Sequence, residues 1–135
     1  MEGNCKGETN NQPTRRIVIV DDSPVIRDVA KRMLSWSVPN CKIVGEAGES
    51  KEALHTCQAT KPDVILIDLS IDSGGGIALA RTLRDTLPDT LIVIMSEQSA
   101  GAMALLQQTC GFRCIAKTHL GKSLPPLVKG TDEEN

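Results

Sequence analysis

The stretch Ile17-Val-Ile-Val-Asp-Asp-Ser-Pro24 decides how this chain folds. Four β-branched residues run without polar alternation into two carboxylates, and a helix-start signal follows at once. Short runs of this kind are what strands look like when helices cover both faces of a parallel sheet. Three later runs repeat the layout: Val64-Ile-Leu-Ile67 ends on Asp68, Leu91-Ile-Val-Ile-Met95 on Ser96, and Cys114-Ile-Ala116 on Lys117. In open α/β sheets the site lies beyond the carboxyl ends of the strands. Three carboxylates, a hydroxyl and an ammonium are therefore expected on one rim, from segments far apart in sequence.

Between these runs the apolar period becomes helical. After Ser23-Pro24, a good N-cap and first helical residue, Ile26, Val29, Ala30, Met33 and Leu34 fall on one face, and the helix is expected to stop before Pro39. Residues 41–47 read as a second strand and 50–60 as a second helix, broken by Lys61-Pro62. Ile77, Ala80, Leu83 and Leu87 mark a third helix ending at Pro88, and 99–109 a fourth. A fifth, from about His119 to Val128, contains Pro125-Pro126 and is expected to be short or irregular. The order is (βα)5, which right-handed crossovers assemble into a doubly wound parallel sheet of three layers, an α/β fold.

The bounds agree. With 135 residues and 40% hydrophobic content there is enough chain for one core. A domain is expected over 15–129, between loose polar tails at 1–14 and 130–135. Net charge is −2 with scattered Lys and Arg, which disfavours nucleic-acid binding by this chain. No stretch approaches the roughly 18 apolar residues of a membrane span, and no secretion signal opens the chain, so a cytoplasmic location is expected. Five cysteines, at 5, 41, 57, 110 and 114, lack paired CxxC spacing and read as free thiols. Cys110 and Cys114 are the close pair, and packing accounts for Cys114. His55 and His119 read as surface residues.

Each rim residue alone has a plain reading. Asp21-Asp22 could favour the first helix dipole, Asp68 could form a turn, and Lys117 could be a solvated strand-end charge. Packing has no reason to put all five on one rim.

An acidic pair after the first strand (Asp21, Asp22), a lone Asp after the third (Asp68), Ser after the fourth (Ser96) and Lys after the fifth (Lys117) resemble the receiver domain of bacterial two-component response regulators. The resemblance runs from about Arg15 to Lys129. It implies a flavodoxin-like fold with strand order 2-1-3-4-5. It implies that Asp68 accepts a phosphoryl group from a histidine kinase or histidine phosphotransfer protein, with Lys117 and Ser96 completing the catalytic set. Mg²⁺ would be held by Asp21, Asp22, Asp68 and the backbone carbonyl of Ser70. Phosphorylation would then switch a surface made by the fourth helix, fifth strand and fifth helix, read by a downstream protein or by a second copy in a phosphorylation-dependent dimer. Self-catalysed phosphotransfer and dephosphorylation follow from the same resemblance, without further enzyme activity. Gly76, eight residues after Asp68, matches a common family glycine; the run Gly74-Gly75-Gly76 lacks the phosphate-loop patterns and reads as a turn.

Four positions depart from the family pattern. Asp72 replaces a Pro and is expected to solvate its turn. Glu97 replaces a small residue and should hinder partner access and hydrolysis. Thr118 replaces the Pro after the Lys, so no cis bond is assumed. Cys114 replaces the aromatic that reports the switch, which leaves coupling to Ser96 and backbone shifts. Few residues follow Val128, so a stand-alone switch is the direct expectation. Other readings are the isolated receiver of a DNA-binding regulator, suggested by Ala116-Lys-Thr-His-Leu-Gly121, and a phosphorylation-independent pseudo-receiver interaction module. A hydrolase of the haloacid-dehalogenase type would need a second acid where Ser70 stands.

Overall fold

The apolar runs form the middle of a five-stranded parallel sheet in the order β2-β1-β3-β4-β5. The computed structural model describes residues 14–129; the expected tails at 1–14 and 130–135, Thr14 apart, lie outside the described residues. The strands are β1 (Arg15–Val20), β2 (Cys41–Ala47), β3 (Val64–Asp68), β4 (Leu91–Ser96) and β5 (Arg113–Ala116). They alternate with α1 (Pro24–Ser37), α2 (Ser50–Thr60), α3 (Gly76–Thr86), α4 (Ala100–Cys110) and α5 (Leu120–Lys129). The expected (βα)5 architecture and strand order are both present.

Both faces of the sheet are covered, which is why the central strands carry no polar alternation. Val18, Val20, Ile65, Ile67, Ile92 and Ile94 point toward α2, α3 and α4, packing with Ala53, Cys57, Leu79, Leu83 and Met103. Ile17, Ile19, Val64, Leu66, Val93 and Met95 point the other way, toward Ala30 and Leu34 of α1 and Leu124, Leu127 and Val128 of α5. Full burial of each large aliphatic side chain contributes about 1.5–3 kcal/mol, so this double core holds the strand ends in register.

Local signals set the helix boundaries. The Ser23 hydroxyl accepts the Ile26 N–H at 3.2 Å to cap α1, and Ser99 does the same for Ala102 at 3.1 Å to start α4. α5 departs from expectation. It follows a 3₁₀ turn (Lys117–His119) and runs for ten residues straight through Pro125-Pro126. The prolines remove two backbone donors, but Leu120, Leu124, Pro125, Leu127 and Val128 are all buried, and their packing offsets that loss.

Candidate functional site

The alternation of the strands explains which polar residues meet. Asp21, Asp68 and Lys117 continue the series Ile19, Leu66 and Ile115, whose side chains lie on the α1–α5 side of the sheet. Val20 pairs with Ile67 in the β1–β3 ladder, so Asp21 and Asp68 follow as neighbours. Lys117 enters from the far strand through the 3₁₀ turn after β5, and its ammonium lies 2.7 Å from Asp21 Oδ2 and 3.2 Å from Asp68 Oδ1.

All three groups are close to fully covered: Asp21 is 1% exposed, Asp68 3%, and the Lys117 side chain 9%. Burial works against the Lys117 ammonium, but its bonds and charge contacts with Asp21 and Asp68 outweigh that cost and hold its pKa above the ordinary lysine value. Asp21 Oδ1 accepts the Ser23 N–H at 2.9 Å, so the plain turn-forming role and the site role coexist in one carboxylate. Asp21 Oδ2 is met by the Lys117 ammonium, a charge-assisted contact at 2.7 Å.

Asp22 stands exposed at the rim. One carboxylate oxygen each from Asp21, Asp22 and Asp68 lies within 4.8 Å of the others. Three carboxylates against one ammonium leave an excess of two negative charges in a small volume. These are hard oxygen donors, and among the described residues Lys117 is the one group that meets the buried Asp21 Oδ2, which leaves that oxygen lone-pair capacity for a ligand. The residues therefore fit a hard divalent cation.

Of the other expected site residues, Ser96 stands apart from this group and Ser70 meets it through its hydroxyl. Ser96, 6% exposed at the end of β4, uses its Oγ to accept the Gln98 N–H at 3.2 Å and makes no bond to the carboxylates. Ser70 is exposed, and its backbone carbonyl accepts the Gly74 N–H at 3.1 Å. Its hydroxyl donates to Asp68 Oδ2 at 2.9 Å, a contact the sequence did not announce.

Asp72 does more than solvate its turn. It adopts a left-handed backbone (φ 52°), as does Ser73, and its Oδ2 accepts the Ser50 N–H at 3.1 Å at the start of α2. The turn after β3 is thereby tied to a neighbouring helix. Gly76 is required by close approach: a Cβ there would lie 2.6 Å from the Asp68 carbonyl oxygen and 2.7 Å from Leu69 Cα. Arg27 reaches the Asp21 backbone from α1. Its guanidinium donates to the Asp21 carbonyl and, at 3.0 Å, to Glu46 Oε1, which shares its carboxylate with Lys31 at 2.7 Å. Glu97, Thr118, His55 and His119 are exposed, and Cys114 is buried. No cis peptide bond occurs among the described residues.

The family model of the response regulator receiver domain matches residues 17–123. The nitrate/nitrite response regulator protein NarL of Escherichia coli K12 is 30% identical over 76 residues, 56% of this chain and 35% of that protein. The DNA-binding transcriptional activator DevR/DosR of Mycobacterium tuberculosis is 37% identical over 68 residues, 50% of this chain and 31% of its own length. The matched part thus spans about a third of these relatives. Among solved structures, a LuxR-family two-component response regulator from Aurantimonas sp. SI85-9A1 superposes with a TM-score of 0.71 at 28% identity, covering 87% of this chain and 86% of the other. The signal receiver domain of a NarL protein from Mycobacterium tuberculosis gives 0.72 at 27% identity, covering 88% and 99%. No helix among the described residues is long and apolar enough to cross a membrane. By fold, by strand-end residues and by the match over 17–123, the chain belongs to the response regulator receiver domain family.

Proposed function

We propose that Asp68 is the phospho-acceptor of this domain, taking a phosphoryl group from the phosphohistidine of a histidine kinase or histidine phosphotransfer protein. The observation that carries this reading is the shared lysine: one ammonium within 3.2 Å of both Asp68 and Asp21, with Asp22 at the rim. In the transfer, an Asp68 carboxylate oxygen forms a bond to phosphorus as the bond from phosphorus to the donor imidazole nitrogen breaks. Lys117 and the Ser70 hydroxyl hold the two oxygens of Asp68 and so orient the nucleophile. Mg²⁺ bound to Asp21, Asp22, Asp68 and the Ser70 carbonyl would supply the positive charge that two anions need in order to approach. Ser96 Oγ accepts a backbone N–H, which leaves its own proton free to donate to a phosphoryl oxygen. Hydrolysis is the reverse in outcome: water attacks phosphorus, phosphate leaves and the Asp68 carboxylate returns.

The output surface is the face of α4, β5 and α5. It carries a cleft of about 320 Å³ lined by Gln107, Arg113, Cys114, Lys122, Ser123 and Pro126. A downstream protein, or a second phosphorylated copy, would read this face as phosphorylation shifts a two-state equilibrium. Intact-mass measurement after incubation with a small-molecule phosphodonor and Mg²⁺ tests the acceptor role. One added phosphoryl group on the wild type and none on Asp68→Asn supports it; addition that survives the substitution refutes it.

A further inference from the structure

Two thiols meet where α4 hands the chain to β5. Cys110 ends the helix, Cys114 is the second residue of the strand, and their sulfurs lie 3.6 Å apart. Both contact the backbone of one residue: the Phe112 N–H donates to Cys110 Sγ at 3.4 Å, and the Cys114 thiol donates to the Phe112 carbonyl at 3.4 Å. Gly111 between them is left-handed (φ 80°), the conformation that folds the link back and brings the sulfurs together. Among the described residues no other pair of thiols is in contact; Cys41 donates to the Leu34 carbonyl, and Cys57 is buried. Cys110 is partly exposed, whereas Cys114 is 7% exposed. A disulfide needs its sulfurs at about 2.05 Å, so closure asks for an approach of roughly 1.5 Å.

We propose that Cys110 and Cys114 form a reversible redox site that a small disulfide of the glutathione class converts to an intrachain disulfide. The more exposed Cys110 sulfur attacks one sulfur of the oxidant. A mixed disulfide forms, the oxidant's own S–S bond breaks, and the first small thiol leaves with the Cys110 proton. Cys114 sulfur then attacks Cys110 Sγ and expels the second small thiol, which takes the Cys114 proton. The protein loses two electrons and two protons, and the oxidant gains both. Burial pushes the Cys114 thiol up to about 12, with its hydrogen bond to Cys110 adding to the rise, which assigns first attack to Cys110 and resolution to Cys114. Proximity compensates for the weak ionisation of the resolving thiol. A cleft that Cys114 and Lys122 help to line opens on the Cys114 side of the pair. The closed ring ties the end of α4 to the strand that delivers Lys117 three residues later. This inference is independent of the phosphotransfer reading.

The test uses the full chain carrying Cys5→Ser, equilibrated across ratios of oxidised to reduced glutathione, quenched in acid, alkylated after denaturation and analysed by intact mass and peptide mapping. The expected product is a loss of two hydrogens mapped to the peptide holding Cys110 and Cys114, with Cys41 and Cys57 alkylated, and full reversal in excess reduced glutathione. Adding Cys114→Ser should halt the reaction with one glutathionyl group on Cys110. Alkylation of both cysteines in large excess of oxidised glutathione would overturn the proposal, as would oxidation mapping to other cysteines or a glutathionyl adduct on Cys110 that never closes.

Discussion

Lys117 lies nearer to Asp21, at 2.7 Å, than to Asp68, at 3.2 Å, so the ammonium beside the proposed acceptor carboxylate is anchored first by a different one. This asymmetry has a use. Asp68 can change its charge and bonding while Asp21 keeps the lysine in the cup.

Removing the lysine should expose how much the cup depends on it. Lys117→Ala leaves two buried carboxylates facing each other, and loss of one partner of a buried pair costs on the order of 3 kcal/mol. Urea unfolding at neutral pH without divalent cation should show a loss of about that size. Added Mg²⁺ should recover part of it, because a ligand bound only by the folded state stabilises it. A loss under about 1 kcal/mol would contradict the account.

The pH dependence has two signs in this molecule. The folded-state pKa of Lys117 is raised, so its contribution is complete below the unfolded lysine value of about 10.4 and is lost as pH climbs through the folded value. The deficit of Lys117→Ala should therefore hold steady from neutral pH to about 10 and shrink above it. Glu46 behaves oppositely. Its hydrogen bond to Lys31, with Arg27 assisting, holds its carboxyl below the usual range, against the opposing pull of burial. Its contribution is present above about pH 4.3 and lost as pH falls through the folded value. Glu46→Gln should be less stable than wild type at neutral pH and converge with it in acid, as read by denaturation midpoints across the series.

Gly76→Ala should be among the most damaging single methyl additions. The new carbon would press on the Asp68 carbonyl and on backbone atoms of Leu69, whose N–H is bonded to the Met95 carbonyl at 2.7 Å, and these cannot yield as a side-chain tip can. A loss above about 2 kcal/mol in urea unfolding is expected, with weakened Mg²⁺ binding as the Asp68 segment shifts.

Glu97 is exposed and directly follows Ser96 at the end of β4. An anion there opposes the approach of partners and attacking water, so Glu97→Ala should shorten the lifetime of the phosphorylated form by about threefold at low ionic strength, and by less in high salt. An unchanged or longer lifetime, followed by intact mass over time, would reject that role.

The sequence displayed the sheet and the main polar group because both follow from short-range rules. Continuous β-branched runs mark doubly covered strands, and the polar residue that ends each run reaches the rim wherever the register puts it. Asp21, Asp68 and Lys117 met because their alternation is shared; Ser96 falls on the opposite alternation and accordingly stands apart from the ion pairs. What stayed hidden depends on tertiary geometry. The Asp72 bond to Ser50 joins residues 22 apart through a left-handed turn, and propensity disfavours that conformation for a non-glycine residue. The Ser70 hydroxyl contact depends on a side-chain rotation that spacing does not encode. α5 continues through Pro125-Pro126 because buried leucines override a local penalty.

The most direct measurement of the central claim locates the acyl phosphate itself. After reaction with a small-molecule phosphodonor and Mg²⁺, borohydride reduction converts a phosphorylated aspartate to homoserine, and peptide mapping reads its position. The account predicts homoserine at position 68, with Asp21 and Asp22 unchanged. Unmodified aspartate at 68, or homoserine at 21 or 22 instead, would contradict it.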